Sequence, residues 1–176
     1  MENKISLERI QYRVGQTYYE ADRKKLKGVS FLVYIDARTA QEQLDEKFGP
    51  ENWKFKWEKV EDNKWAVKGI LTIKIGDEWI TREDVGYPQE NKKNEKDIDN
   101  ALDKSEWLKD AVSDSLKRCA VQFGVGRFLY DAPFLYAKRE DIEVSVYNDV
   151  ERFRKLTTEG EIRIKADIKK WYESLK

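Results

Sequence analysis

Two pairs of like-charged neighbours carry most of the chemistry this sequence offers. Lys117 and Arg118 stand side by side, and so do Glu83 and Asp84. Adjacent cations suit a phosphate backbone, whereas adjacent acids suit a divalent cation. The chain has no histidine and one cysteine, Cys119. That excludes a Ser-His-Asp or Cys-His nucleophile and any zinc site built on Cys and His. The enzymatic reading that remains is a magnesium-dependent nuclease, with Glu83, Asp84, Asp62 and Lys64 gathered near strand ends. Gly124-Val125-Gly126 lacks the glycine spacing and following lysine of a phosphate loop.

Composition narrows this further. Lys plus Arg balances Asp plus Glu at 34 each, so overall charge does not announce a nucleic-acid binder and any basic surface must come from arrangement. Six tryptophans, nine tyrosines and seven phenylalanines are interleaved with lysines, the mixture a single-strand groove uses to neutralise phosphates and stack unpaired bases. The same aromatics must also build a core, so composition supports both readings. No apolar run reaches membrane-spanning length and the N-terminus lacks a signal-peptide core, so the expectation is a soluble, cytoplasmic protein without a membrane partner. With 176 residues, no repeats and no linker, one domain is expected.

The elements that must position these residues are legible in stretches. From Ser105 to Asp131 the residues Leu108, Ala111, Val112, Leu116, Cys119, Ala120 and Phe123 form one stripe of an amphipathic helix. Ser105 is the expected N-cap and Gly124 the stop. Cys119, on that stripe, reads as a small buried hydrophobe. Lys117 and Arg118 fall on the polar face, where Asp114 is within ion-pair range and the helix dipole favours cations, so a purely structural role stands beside a phosphate-binding one.

Ser30 to Ile35 reads as a buried strand, and Asp36 caps a helix with Ala37, Ala40, Leu44 and Phe48 inward, ended by Gly49-Pro50. Asn52–Val60, Lys64–Ile75 and Trp79–Val85 form an antiparallel meander. Lysines keep one parity in its first two strands, and whether their faces coincide depends on register at the turns. The run from Ala21 to Gly28 is either a solvated loop or a phosphate-contacting arm. Tyr87 to Lys104, with Lys92, Lys93 and Lys96, reads as a long polar connection, Ile142–Tyr147 as a short strand, and Glu159–Leu175 as a looser helix.

These motifs, in order, resemble the single-strand annealing proteins of the RAD fifty-two / twenty-two type, in particular the bacterial and phage Sak-like branch. The stretches are YIDARTAQEQLDEKFGPENW from Tyr34, the meander, EDVGY from Glu83 and LKRCAVQFGVGRFLYD from Leu116. The resemblance implies an α+β fold, an antiparallel meander on a central helix with flanking helices, and copies joined in a ring or arc as a homo-oligomer. It implies single-stranded DNA held by its backbone in a basic groove, and annealing of complementary strands in recombination and double-strand-break repair. By position, Lys117 and Arg118 match the helix cations that meet phosphates, and Tyr34 an aromatic of the same groove. Arg23, Lys24, Lys25 and Lys27 lie where another basic contact is supplied. Lys64 with Lys92 or Lys93 lies near a second, outer DNA path. Val121 stands where eukaryotic members carry a basic residue, and their recombinase-recruiting tail has no counterpart in this sequence. A host recombination or single-strand-binding protein is the further partner implied. No cofactor is implied. The readings set against this one are the nuclease and a self-assembling scaffold that does not bind DNA.

Overall fold

A computed structural model describes residues 5–88 and 101–175. In chain order the elements are β1 (Gln11–Tyr19), β2 (Leu26–Tyr34), α1 (Ala37–Phe48), β3 (Trp53–Val60), β4 (Asn63–Ile75), β5 (Glu78–Gly86), α2 (Ala101–Gln122), β6 (Leu135–Lys138), β7 (Ile142–Tyr147), β8 (Val150–Leu156) and α3 (Thr158–Ser174). The α+β class and the helix-backed antiparallel meander stand as expected. The chain divides into two compact units, one of Met1–Ile5 and Ile35–Arg127, the other of Ser6–Tyr34 and Phe128–Lys176.

In the first unit, β3, β4 and β5 pair antiparallel in that order. Asp36 caps α1 as the sequence predicts, its carboxylate accepting the Thr39 N–H at 2.7 Å. Ala40 and Leu44 are buried, and Phe48 meets Phe123 edge-to-face at 6.3 Å. Trp53 extends this join, donating its indole N–H to Asp45 at 2.7 Å. Val67, Leu71 and Ile73 of β4 are buried on the sheet face that receives α2. The opposite face carries Lys54 and Lys56 of β3 together with Lys68 and Lys74 of β4, because Lys54 opposes Thr72 and Glu58 opposes Lys68. The two lysine parities therefore coincide.

The central helix starts earlier than expected. It already runs at Ala101, so Ser105 lies inside it and is not its N-cap, and the polar connection is shorter by Ala101–Lys104. Ala101 and Leu102 are strong helix formers and nothing in 101–104 breaks a helix, which explains the extension. Its end is where glycine predicts. Gly124 takes φ +88°, the Val125 N–H reaches the Ala120 carbonyl, and the Gly124 N–H reaches that of Val121, a Schellman closure.

In the second unit β2 lies between β1 and β6. Leu26, Val29 and Phe31 of β2 and Leu135 and Ala137 of β6 are buried, as are Ile164, Ile168 and Trp171 of α3. The hairpin β7–β8 adds Phe153, 6.1 Å from Phe31 ring to ring. Three of these strands were not expected. β1 is interrupted by a bulge between Val14 and Thr17, which breaks its alternation. β6 has only four residues. β8 follows a turn at Asn148-Asp149, both with positive φ, a pair the sequence reading did not use.

Candidate nucleic-acid interface

The α2 helix sits close to its sheet because small residues face small residues. Ala111, Ser115 and Cys119 recur every fourth position and are fully buried. A Cβ on Gly86 would lie 2.3 Å from the Ala111 carbonyl oxygen and from the Ser115 nitrogen, so only glycine fits there. Ser115 hides its hydroxyl by donating to Val112 O at 2.8 Å. The Cys119 thiol lies 3.4 Å from Gly69 O, and burial, helped by the negative charge of Asp84, pushes its pKa up to about 11. It is a buried hydrophobe, as its place on the stripe suggests.

That close seat fixes the far face of the helix against the end of β5. Arg118 Nε pairs with Asp84 Oδ1 at 2.9 Å. Gln122 Nε2 donates to Glu83 O at 3.0 Å and to Asp84 Oδ2 at 3.4 Å. One turn earlier, Asp114 Oδ2 accepts the Tyr87 N–H at 3.2 Å. The segments EDVGY and LKR, distant in sequence, are thus stapled together. Arg118 finds its acid on β5, which sequence spacing did not indicate. Lys117 is half-buried beside it and takes part in an interaction within the chain.

Two further cations belong to this end of α2. The Arg127 guanidinium donates to the carbonyls of Val121 and Gln122 at 3.0 Å each, and Lys47 Nζ to Phe123 O at 3.0 Å. They answer the negative end of the helix dipole. Sequence reasoning missed both. The signal for Arg127 was a cation just past a glycine stop.

The second unit presents a different kind of basic site. Asp22 Oδ1 accepts the backbone N–H groups of Lys24 and Lys25 at 2.8 and 3.3 Å, and Arg23 takes a left-handed φ of 54°. Glu20 and Lys25 close the turn backbone to backbone at 2.8 Å. From β8, Glu151 accepts the Leu26 N–H at 2.9 Å, and its own N–H reaches Lys24 O at 2.8 Å. Lys27 falls at a bulge, between the partners of Tyr18 and Tyr19. Arg23, Lys24, Lys25 and Lys27 are all exposed. Asp22 and Glu151 both have carboxyl pKa values held below the usual range, Asp22 chiefly by the Lys24 N–H and Glu151 chiefly by Arg139. The run from Ala21 is therefore an exposed, ordered turn leading into β2.

Tyr34 closes β2 opposite Gln11, and the Arg13 guanidinium lies 5.9 Å from the centre of its ring. Arg13 went unnoticed because its strand did. Lys64 lies in β4, in the same unit as Lys117 and Arg118, whereas Arg23, Lys24, Lys25, Lys27 and Tyr34 belong to the second unit. Lys92 and Lys93 lie outside the described residues. Of the nuclease set, Asp84 pairs with Arg118 and Glu83 lies 3.7 Å from Lys68, and no group of three or more potential metal ligands occurs among the described residues. No helix among them is long and apolar enough to cross a membrane.

Residues 1–144 match the family described as Rad52/22 family double-strand break repair protein. The single-stranded DNA-binding protein DdrA of Deinococcus deserti is 42% identical over 117 residues, covering 63% of this chain and 50% of the relative. The protein of the same name from Deinococcus radiodurans is 40% identical over 111 residues, covering 62% of this chain and 45% of the relative. This chain thus spans about half the length of the curated relatives it matches.

Proposed function

This chain belongs to the Rad52/22 family of double-strand break repair proteins, and on that premise we propose that it binds single-stranded DNA and promotes annealing of complementary strands in recombination and repair. The observation that carries the reading is the likeness to two relatives named for single-stranded DNA binding. The built turn of Arg23, Lys24, Lys25 and Lys27 supports it, since four exposed cations on a fixed backbone suit a row of phosphates.

In this reading the two units work as one annealing module, and copies assemble into a ring or arc. Each copy offers a few weak phosphate contacts, and assembly multiplies them along one strand. Tyr34, with Arg13 against its ring, supplies a surface for a base or sugar. Lys64, Lys92 and Lys93 serve an outer path. Arg118 must exchange Asp84 for a phosphate to take part. The pair is half-exposed, so the exchange costs on the order of 1 kcal/mol or less. The work is positional, with no covalent step and no cofactor. The setting is the cytoplasm, where a host recombination or single-strand-binding protein is the further partner.

The test is the double substitution Lys117→Ala with Arg118→Ala. Weaker binding to labelled oligo(dT), with a shallower salt dependence and unchanged secondary structure, supports the reading. Full affinity removes the helix cations from the site. Cleavage of the oligonucleotide that a chelator abolishes would favour the nuclease instead.

A further inference from the structure

The open face of the meander is more basic than the protein as a whole. Cross-strand partners point to the same side of a sheet, so the pairs Lys54–Thr72, Lys56–Ile70, Thr72–Thr81 and Lys74–Trp79 define one face. It is opposite the face seated on α2. Of its four described lysines, Lys68 is neutralised in place, 3.1 Å from Glu58 and 3.7 Å from Glu83. Lys54, Lys56 and Lys74 are exposed and have no ion-pair partner among the described residues.

An aromatic surface lies among them. Trp79 is 49% exposed, a large ring left half in water, and Lys54 Nζ rests 5.0 Å from its centre. Between them the floor is low and polar, with the hydroxyls of Thr72 and Thr81 bonded to each other at 3.0 Å. A lysine-flanked, half-bare indole over a shallow threonine floor matches an unpaired base with phosphates on either side. A duplex, whose bases are already stacked and paired, has no use for the ring.

We propose that this face is an additional contact surface for single-stranded DNA, with Lys54, Lys56 and Lys74 taking phosphates and Trp79 stacking an unpaired base. The inference rests on the reading of the protein as a single-strand binder, but it uses residues apart from the helix cations, the basic turn and the outer path. When a base stacks on Trp79, the Lys54 ammonium leaves the ring for the adjoining phosphate, so charge and stacking act together.

The test compares the wild-type chain with the triple variant Lys54→Ala, Lys56→Ala, Lys74→Ala and with Trp79→Leu, using labelled oligo(dT) over a salt series. A control variant removes three lysines already engaged in ion pairs, Lys155, Lys165 and Lys169. The expected result is a loss of about 2 from the log–log salt slope in the triple variant, from three phosphate contacts at about 0.7 each, with the control close to wild type. Trp79→Leu is expected to weaken binding severalfold while leaving the slope unchanged, and photo-crosslinking should place the oligonucleotide on the peptide containing Trp79. Wild-type affinity and slope in the triple variant would overturn this inference and leave the proposed function standing. Failure of the wild-type chain to bind oligo(dT) would overturn both.

Discussion

The helix end in one unit and the basic turn in the other differ in which cations their acidic residues hold. At the end of α2, Asp84 holds the side chain of Arg118, one of the candidate DNA-binding cations, as well as Gln122. In the turn before β2, Asp22 takes backbone N–H groups, Glu151 takes the Leu26 N–H together with Arg139, and the side chains of Arg23, Lys24 and Lys27 remain exposed. A chain with equal numbers of acids and bases can still expose a basic surface where the neighbouring acids bind main chain, or a cation outside the run as Glu151 binds Arg139. The helix end reads as a structural staple that also bears charge, and the turn as a scaffold built to display it.

The largest effect should come from unseating the helix. Gly86→Ala forces a Cβ into the α2 backbone and is expected to cost about 3 kcal/mol, the upper range for overpacking, measured by urea unfolding. Cys119 reports the same event. With its pKa raised to about 11 it should be nearly inert to thiol reagents at neutral pH in the native protein, and should react readily in Gly86→Ala. Rapid labelling of native Cys119 would mean the seat is looser than its geometry.

A smaller effect sharpens the contrast directly. Asp84→Asn removes the charged acceptor of Arg118 and should lower stability by about 1 kcal/mol while raising affinity for oligo(dT), because Arg118 no longer has a competing carboxylate. A fall in affinity would show that Asp84 holds Arg118 in its binding pose, and the two regions would then be less different than they look.

The smallest effect concerns pH. Asp22 and Glu151 have lowered folded pKa values, so their contribution is present above their ordinary values of 3.8 and 4.5 and is lost as pH falls through the lower folded ones. Amide exchange at Lys24 and Leu26, whose N–H groups they hold, should quicken in acid before the sheets open. Exchange that rises only with global unfolding would mean the acids do not hold the turn.

These contrasts explain what could be read in advance. The meander, α1 with its Asp36 cap and the Gly124 stop are written in local alternation and capping residues, and they are where expected. Lys117 and Arg118 are conspicuous as neighbours on a polar helix face. The Asp84 partner was invisible, since it is set by a strand lying far off in sequence and held close by Gly86. The turn was ambiguous for the same reason: Glu151, which turns a basic run into a fixed display, comes from β8, a strand that follows two left-handed residues. β1 escaped notice because a bulge breaks its period, and Arg13 was lost with it.

The most direct test is the salt dependence of oligo(dT) binding by the triple variant Arg23→Ala, Lys24→Ala, Lys27→Ala. If the turn exists to display cations, the log–log slope should fall by about 2 while the unfolding midpoint is unmoved. An unchanged slope, or a slope that falls only because the protein has lost its fold, would contradict that role.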